Sequence, residues 1–173
     1  ALYTACAGVD PRRTLPVILD VGTNTERYLN DPLYLGHKHP RVSGQEYDDF
    51  IEEFFQSVYK KWPKCVVQFE DFGNNHAFDL LARYRSRYCC YNDDIQGTAS
   101  IVVSGFFSAM RAKKSKLSNE KILFLGAGEA ATGVAGLIAD AMVEDGLSRE
   151  DALARLYLFD SKGLVTTTRG DTL

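Results

Sequence analysis

The chain has 173 residues, enough for one ordinary domain or two small ones and for burial of roughly two-thirds of the unfolded surface. Its apolar and charged fractions, 45% and 25%, are those of a soluble globular protein, and a net charge of −3 gives no footing for nucleic acid or an anionic lipid surface. No apolar run approaches the roughly 20 residues that span a bilayer, and Ala1–Ala5 lacks the basic region and apolar stretch of a secretory signal.

Leu15–Gly22 is a short apolar run bounded by turn formers and predicts a buried strand. Residues 23–42, with Asn24, Asn30, Asp31-Pro32, Gly36 and Pro40, read as an irregular loop. Ser43 with Glu46 three residues on has the spacing of a capping box. Tyr47, Phe50, Ile51, Phe54, Phe55, Val58 and Tyr59 then recur at steps of three and four, one stripe of an amphipathic helix. Val66–Phe69 predicts a second strand, followed by a helix over about residues 76–87. The four cysteines, Cys6, Cys65, Cys89 and Cys90, form no CxxC pair, and the adjacent pair suits neither a disulfide framework nor zinc. That usage points to a reduced compartment, cytosol or organelle matrix. Another helix is expected from Gln96 to about Lys113, a strand at Ile122–Leu125, a helix over Ala130–Val143 and a strand at Leu156–Asp160. Alternation of strands and helices predicts an α/β fold with parallel sheets, helices on both faces, and the first half of a Rossmann-type unit. A boundary is expected near Asn92, giving parts 1–92 and 93–173.

Glu70 and Asp71 end a predicted strand, and open α/β sheets bind ligands beyond the carboxyl ends of their strands. The turn there, eased by Gly73, lets both carboxylates converge, and Asp94 in Asn92-Asp93-Asp94-Ile95-Gln96-Gly97-Thr98 offers a third. Three carboxylates are hard ligands suited to Mg²⁺ or Mn²⁺. The competing reading is helix capping, by Asp93 or Asp94 ahead of Gln96 and by Asn74 or Asn75 ahead of residue 76.

Gly126-Ala127-Gly128-Glu129-Ala130-Ala131 lies between a strand and a helix, the setting of a dinucleotide-binding turn. The first glycine permits the turn, the second admits the pyrophosphate, and Ala131 allows close packing. Such a turn can also be purely structural. Asp160 ends the next strand, where a carboxylate accepts from a ribose hydroxyl; an extra helical segment over Ser148–Arg155 accounts for its long spacing. Ser161 and Lys162 would suit a 2′-phosphate and NADP, although Asp160 would repel that group, and Lys162 could equally be a solvated loop residue.

These stretches, together with Leu2–Gly8, Leu19–Asn24 and Asp160–Gly163, make the chain resemble malic enzymes along its whole length. The resemblance implies oxidative decarboxylation of L-malate to pyruvate and CO₂ with NADP or NAD, supported by Mg²⁺ or Mn²⁺ acting as Lewis acid. It makes Glu70, Asp71 and Asp94 metal ligands, Asp93 a neighbour that orients the catalytic lysine, and Asn74 and Thr98 lining residues on the cofactor side. The family's lysine base would lie two residues ahead of the position matched by Ala1, and its tyrosine acid and malate-gripping arginine further upstream. The chain therefore reads as a central fragment without turnover of its own, from a dimeric or tetrameric parent. Arg12, Arg13 and His37-Lys38-His39 read as surface or subunit-contact residues. A catalytically silent nucleotide- or metal-binding module and another two-domain NAD(P) dehydrogenase are the alternatives; the carboxylate triad disfavours the latter.

Overall fold

In a computed structural model the described residues are 2–169, with the side chains of residues 74 and 75 left out. Contacts divide the chain into two compact units, residues 1–63 and 64–173.

The first unit is mostly irregular. It contains helices α1 (Leu2–Ala5), α2 (Glu26–Leu29) and α3 (Gln45–Lys61). Leu15–Gly22 is not a strand, and Leu15 and Ile18 are exposed. A strand needs a continuous partner ladder, and here only isolated backbone bonds form, from Thr23 N to the His39 carbonyl and from Val42 N to the Val21 carbonyl, each 2.9 Å. Side chains complete the clasp: Asp20 accepts from the backbone N–H groups of Gly22 and His37, and Asn24 from that of Arg41. The expected stripe of α3 buries Tyr47, Ile51 and Phe55, and Phe55 stacks on Tyr59 with ring centroids 6.2 Å apart. Its N-terminus differs from expectation. Gly44, not Ser43, is the N-cap, so Glu46 is the second helical residue instead of the third and no side-chain cap bond forms.

The second unit holds the ordered sheets. Strand β1 (Val67–Phe69), helix α4 (Asn74–Tyr84) and strand β2 (Cys90–Asn92) form a parallel βαβ unit, with Phe69 opposite Asn92. Strand β2, absent from the expected elements, runs without a loop into a π-helical turn, Asp93–Gly97, and then α5 (Thr98–Lys113). A second βαβ unit follows: β3 (Ile122–Leu125), α6 (Glu129–Glu144), α7 (Arg149–Leu153) and β4 (Leu156–Asp160), with β3 and β4 parallel. The extra helix expected over Ser148–Arg155 is α7, capped by the Ser148 hydroxyl accepting from Asp151 N. A short β5 (Gly163–Leu164) folds back antiparallel on β4. The core is built from Ala99 and Val103 of α5, Ile122 of β3 and Val134, Ile138, Ala139 and Met142 of α6. Phe124 and Leu156 pack against it. The fold is the expected α/β arrangement of helices and parallel sheets, and on the sheet face away from this core Leu123 and Leu125 are 64% and 96% exposed.

Candidate functional site

Parallel pairing of β1 with β2 determines what meets at their carboxyl ends. With Phe69 opposite Asn92, the next residues of the two chains emerge together, Glu70 and Asp71 from β1 and Asp93 and Asp94 from β2. The Asp71 backbone N–H donates to Asp94 Oδ2 at 2.9 Å, stitching the two ends. Asp71 itself makes the turn, with φ of 58°, a left-handed conformation uncommon for a residue with a Cβ. Gly73, expected to ease that turn, has an ordinary extended backbone. One ligand oxygen from each of Glu70, Asp71 and Asp94 lies within 4.8 Å of the others.

The capping alternative for Asp93 and Asp94 does not hold. Asn92 is the cap: its Oδ1 accepts from Ile95 N at 2.9 Å, and its backbone N–H donates to Gln96 Oε1 at 3.0 Å. Asp94 instead accepts from Asp71 N, and the Asp93 carboxylate packs against Gly97 at the start of α5, where a Cβ would collide with its Oδ1, without a cap hydrogen bond. Asn92 is fully buried, and its Nδ2 has no hydrogen-bond partner among the described residues. Gly73 is the N-cap of α4, which begins at Asn74; the Asn74 side chain, assigned to the cofactor side from sequence, lies outside the described residues. Thr98 is the exposed first residue of α5.

The electrostatics follow from crowding. Glu70 is exposed, yet partial loss of solvent at the strand end raises its carboxyl above the usual carboxylate range, with the charges of Asp94, Asp93 and Asp71 adding to the effect. A hydrogen bond from Gln68 Nε2 at 2.7 Å acts in the opposite sense, and Gln68 is held in turn by the Tyr91 hydroxyl at 2.7 Å. Clustered carboxylates with oxygen-only ligand atoms repel one another until a hard cation arrives, which matches Mg²⁺ or Mn²⁺ better than zinc.

The glycine turn faces this cluster. Gly126 has φ of 135°, open to glycine and strained for any other residue, and its N–H donates to the Phe159 carbonyl at 2.7 Å. Gly128 caps α6, whose first residues are Glu129, Ala130 and Ala131. A cavity of about 350 Å³ is lined by Asp71, Phe72, Gly73, Asp94, Glu129 and Ala130, so the turn and the carboxylates border one space. The Glu129 side chain, read from sequence only as part of the phosphate turn, belongs to this wall. Burial raises its carboxyl pKa and the charge of Asp94 raises it further. Close packing holds α6 there: a Cβ at Gly133 would lie 2.5 Å from the Ile95 carbonyl oxygen.

Asp160 ends β4 as expected, with both carboxylate oxygens engaged. Arg169 donates from Nη1 at 3.1 Å and Nη2 at 2.6 Å, and Lys162 N at 2.7 Å. The Arg169 guanidinium, followed by the Lys162 N–H, holds the Asp160 carboxyl below the usual carboxylate range. Ser161 and Lys162 are exposed in the tight turn to β5. Nothing in local sequence periodicity announces the Arg169 pairing, because the β4–β5 fold-back that creates it is only a few residues long.

Two family profiles divide the sequence between them. One, described as the malic enzyme N-terminal domain, matches residues 1–85, and the other, the malic enzyme NAD binding domain, matches residues 95–173. The chain belongs to the malic enzyme family. It is 53% identical over 170 residues to the mitochondrial NADP-dependent malic enzyme of Mus musculus, covering 98% of this chain and 28% of that protein. It is 51% identical over 166 residues to NAD-dependent malic enzyme 2 of Photobacterium profundum, covering 96% and 30% respectively. The structure is similar to that of Entamoeba histolytica malic enzyme, with a TM-score of 0.58 and 25% identity, over 76% of this chain and 26% of that one. The chain thus spans under a third of these curated relatives. Family membership brings a nicotinamide dinucleotide as cofactor. Among the described residues no helix is long and apolar enough to cross a membrane.

Proposed function

We propose that the protein containing this chain oxidises L-malate and removes CO₂ to give pyruvate, reducing NADP⁺ or NAD⁺. The observation that carries the reading is the convergence of Glu70, Asp71 and Asp94 within 4.8 Å, beside a cavity that Asp71 and Asp94 share with Glu129 and Ala130 of the glycine turn. In this reaction the C2 hydride passes to the nicotinamide and the hydroxyl proton to a base. The β-carboxylate then leaves as CO₂, its bonding pair moves toward the new carbonyl to give an enolate, and a general acid delivers a proton to C3 to form pyruvate. A divalent cation, when bound, supplies Lewis acidity at that oxygen. Glu70, Asp71 and Asp94 hold it, Mg²⁺ or Mn²⁺ by the hardness of three carboxylates. Asp93 is a positioning neighbour of the catalytic lysine. The backbone N–H groups of Gly126–Ala131, at the N-terminus of α6, bind the pyrophosphate, and Asn74 and Thr98 line the cofactor side.

Asp160, Ser161 and Lys162 receive the adenosine ribose. Pairing of Asp160 with Arg169 offsets the negative charge that would repel a 2′-phosphate, which supports NADP over NAD. The functional boundary falls near Asn92, between residues 1–92 and 93–173. The parent is a homo-oligomer of cytoplasm or mitochondrial matrix, a setting consistent with the mitochondrial relative.

The test is an assay of the full-length protein with L-malate, Mn²⁺ and each nicotinamide nucleotide, following cofactor reduction and pyruvate separately. Metal-dependent formation of both in equal amounts is expected. Reduction of the cofactor without pyruvate, or pyruvate formation indifferent to chelation, would refute the reading.

A further inference from the structure

We propose that Gln68 and Tyr91 are positioning residues that set the affinity of the protein for its divalent cation, by tethering Glu70 in the orientation that faces Asp71 and Asp94. The inference rests on the reading above, in which Glu70 is a metal ligand, and extends it to two side chains outside the ligand set. The sheet brings the three residues together. Gln68 and Glu70 are two positions apart at the end of β1, so their side chains leave on the same face. Tyr91 of β2 is the register partner of Gln68, which places it beside Gln68 on that face.

Two short hydrogen bonds join them in a relay. The Tyr91 hydroxyl donates to Gln68 Oε1 at 2.7 Å, and Gln68 Nε2 donates to Glu70 Oε2 at 2.7 Å. The order matters, because a side-chain amide has an acceptor end and a donor end. With its oxygen engaged by Tyr91, Gln68 turns its NH₂ toward the carboxylate. The reversed amide would set Oε1 against Glu70 Oε2, two acceptors with no proton between them. Hydroxyl and carboxylate thus favour one orientation of the amide, and a donor to a charged acceptor makes the stronger kind of hydrogen bond.

Glu70 needs such a tether more than Asp94 does. Asp94 Oδ2 accepts from the Asp71 backbone N–H at 2.9 Å, so the main chain already holds it. Glu70 is exposed and has one more methylene, and the like charges of Asp71 and Asp94 beside it favour a swing into solvent. Holding a flexible ligand in place before the cation arrives removes an ordering cost from binding. Hydrogen-bonded partners of metal ligands ordinarily change affinity by about 10- to 100-fold. The competing role is that of a cross-strand pair which only steadies the sheet, and the two roles differ in what they couple to.

The test measures Mn²⁺ binding to the full-length protein by EPR of the free ion, at neutral pH without malate or nucleotide, with urea unfolding of each variant alongside. Gln68→Leu removes the donor and is expected to weaken Mn²⁺ binding by about tenfold. Tyr91→Phe removes one hydroxyl and is expected to weaken it by about two- to fivefold, as one net hydrogen bond would. In the Gln68→Leu background, Tyr91→Phe is expected to change Mn²⁺ affinity by less than about 1.5-fold, because the relay it serves is gone. A pair that only steadies the sheet lowers the urea midpoint and leaves the Mn²⁺ affinity of the folded protein alone. That result in Tyr91→Phe, or equal effects of Tyr91→Phe in both backgrounds, would overturn the inference. Tyr91→Phe keeps the ring and its packing, so it decides the matter even where Gln68→Leu does not fold. Glu70→Gln separates this inference from the reading beneath it, with a loss of at least about tenfold in Mn²⁺ affinity expected. That loss, with wild-type affinity in the Gln68 and Tyr91 variants, leaves the ligand assignment standing and overturns the inference. Unchanged affinity in Glu70→Gln removes the ligand assignment and the inference with it.

Discussion

Asp71 combines a strained backbone with a place in the carboxylate cluster. Its φ of 58° is one of two positive values among the described non-glycine residues, the other being at Lys114. Asparagine tolerates the left-handed region well, so Asp71→Asn separates conformation from charge. The variant should unfold within about 0.5 kcal/mol of wild type, as for a surface change, while Mn²⁺ binding followed by EPR weakens by at least about tenfold, the lower end for a ligand's supporting partner. Unchanged Mn²⁺ affinity would exclude Asp71 from the ligand set. A second residue, Asp160, has its carboxyl held low by Arg169. A depressed carboxyl stabilises the fold above its unfolded pKa and loses that contribution as pH falls through the folded value, so the loss falls below about pH 4. Arg169→Gln should raise the Asp160 pKa toward the ordinary range in a carboxyl NMR titration and move the onset of acid unfolding upward. An unshifted titration would mean that Lys162 N–H alone sets it.

The π-helical turn between β2 and α5 is the element on which the site depends, and the sequence disclosed it only in part. The acidic pair in Asn92–Thr98 marked the segment, since Asp94 could supply a third carboxylate to Glu70 and Asp71. The local pattern offered Asp93 or Asp94 as the cap and passed over Asn92, although asparagine and aspartate cap about equally well. Pairing of β1 with β2 decides it, and that pairing joins segments far apart in sequence. β2 itself escaped because Cys90-Tyr91-Asn92 lacks the β-branched pair, Val66-Val67, that marks the start of β1, a strand of the same length. The strands and helix around Gly126 were legible for the opposite reason, as apolar runs of clear period punctuated by glycine. Leu15–Gly22 misled because an apolar run reports a wish for burial and cannot name a partner strand. Two changes probe the turn. Asn92→Ala removes the cap and should cost about 0.5–2 kcal/mol in urea unfolding. Gly133→Ala presses a methyl against the Ile95 carbonyl and should cost about 1–3 kcal/mol. Wild-type stability in Gly133→Ala would show that α6 is free to shift.

Across the whole molecule, the second sheet has two unequal faces. Register places Tyr157 beside Leu123 and Phe159 beside Leu125, and Leu164 beside Phe159. Leu123 and Leu125 are the most exposed of this set, while Ile122, Phe124 and Leu156 on the opposite face lie in or against the core. The strands β3 and β4 are nonetheless apolar on both faces, the pattern of a parallel strand covered from two sides. An apolar face of this kind, left bare, drives association in water, since contiguous exposed apolar surface is rare in monomers. The 173-residue chain should therefore scatter light in a concentration-dependent way. Replacing Leu123 and Leu125 together with lysine adds charge to that face, whereas α6 and the core side chains lie beneath the other. The double variant should lower the apparent mass at high concentration toward that of the monomer and leave the circular dichroism of the helices unchanged. Equal scattering by variant and wild type would mean that association, if present, runs through another surface. Lost helicity would mean that the two leucines support the fold from the exposed side.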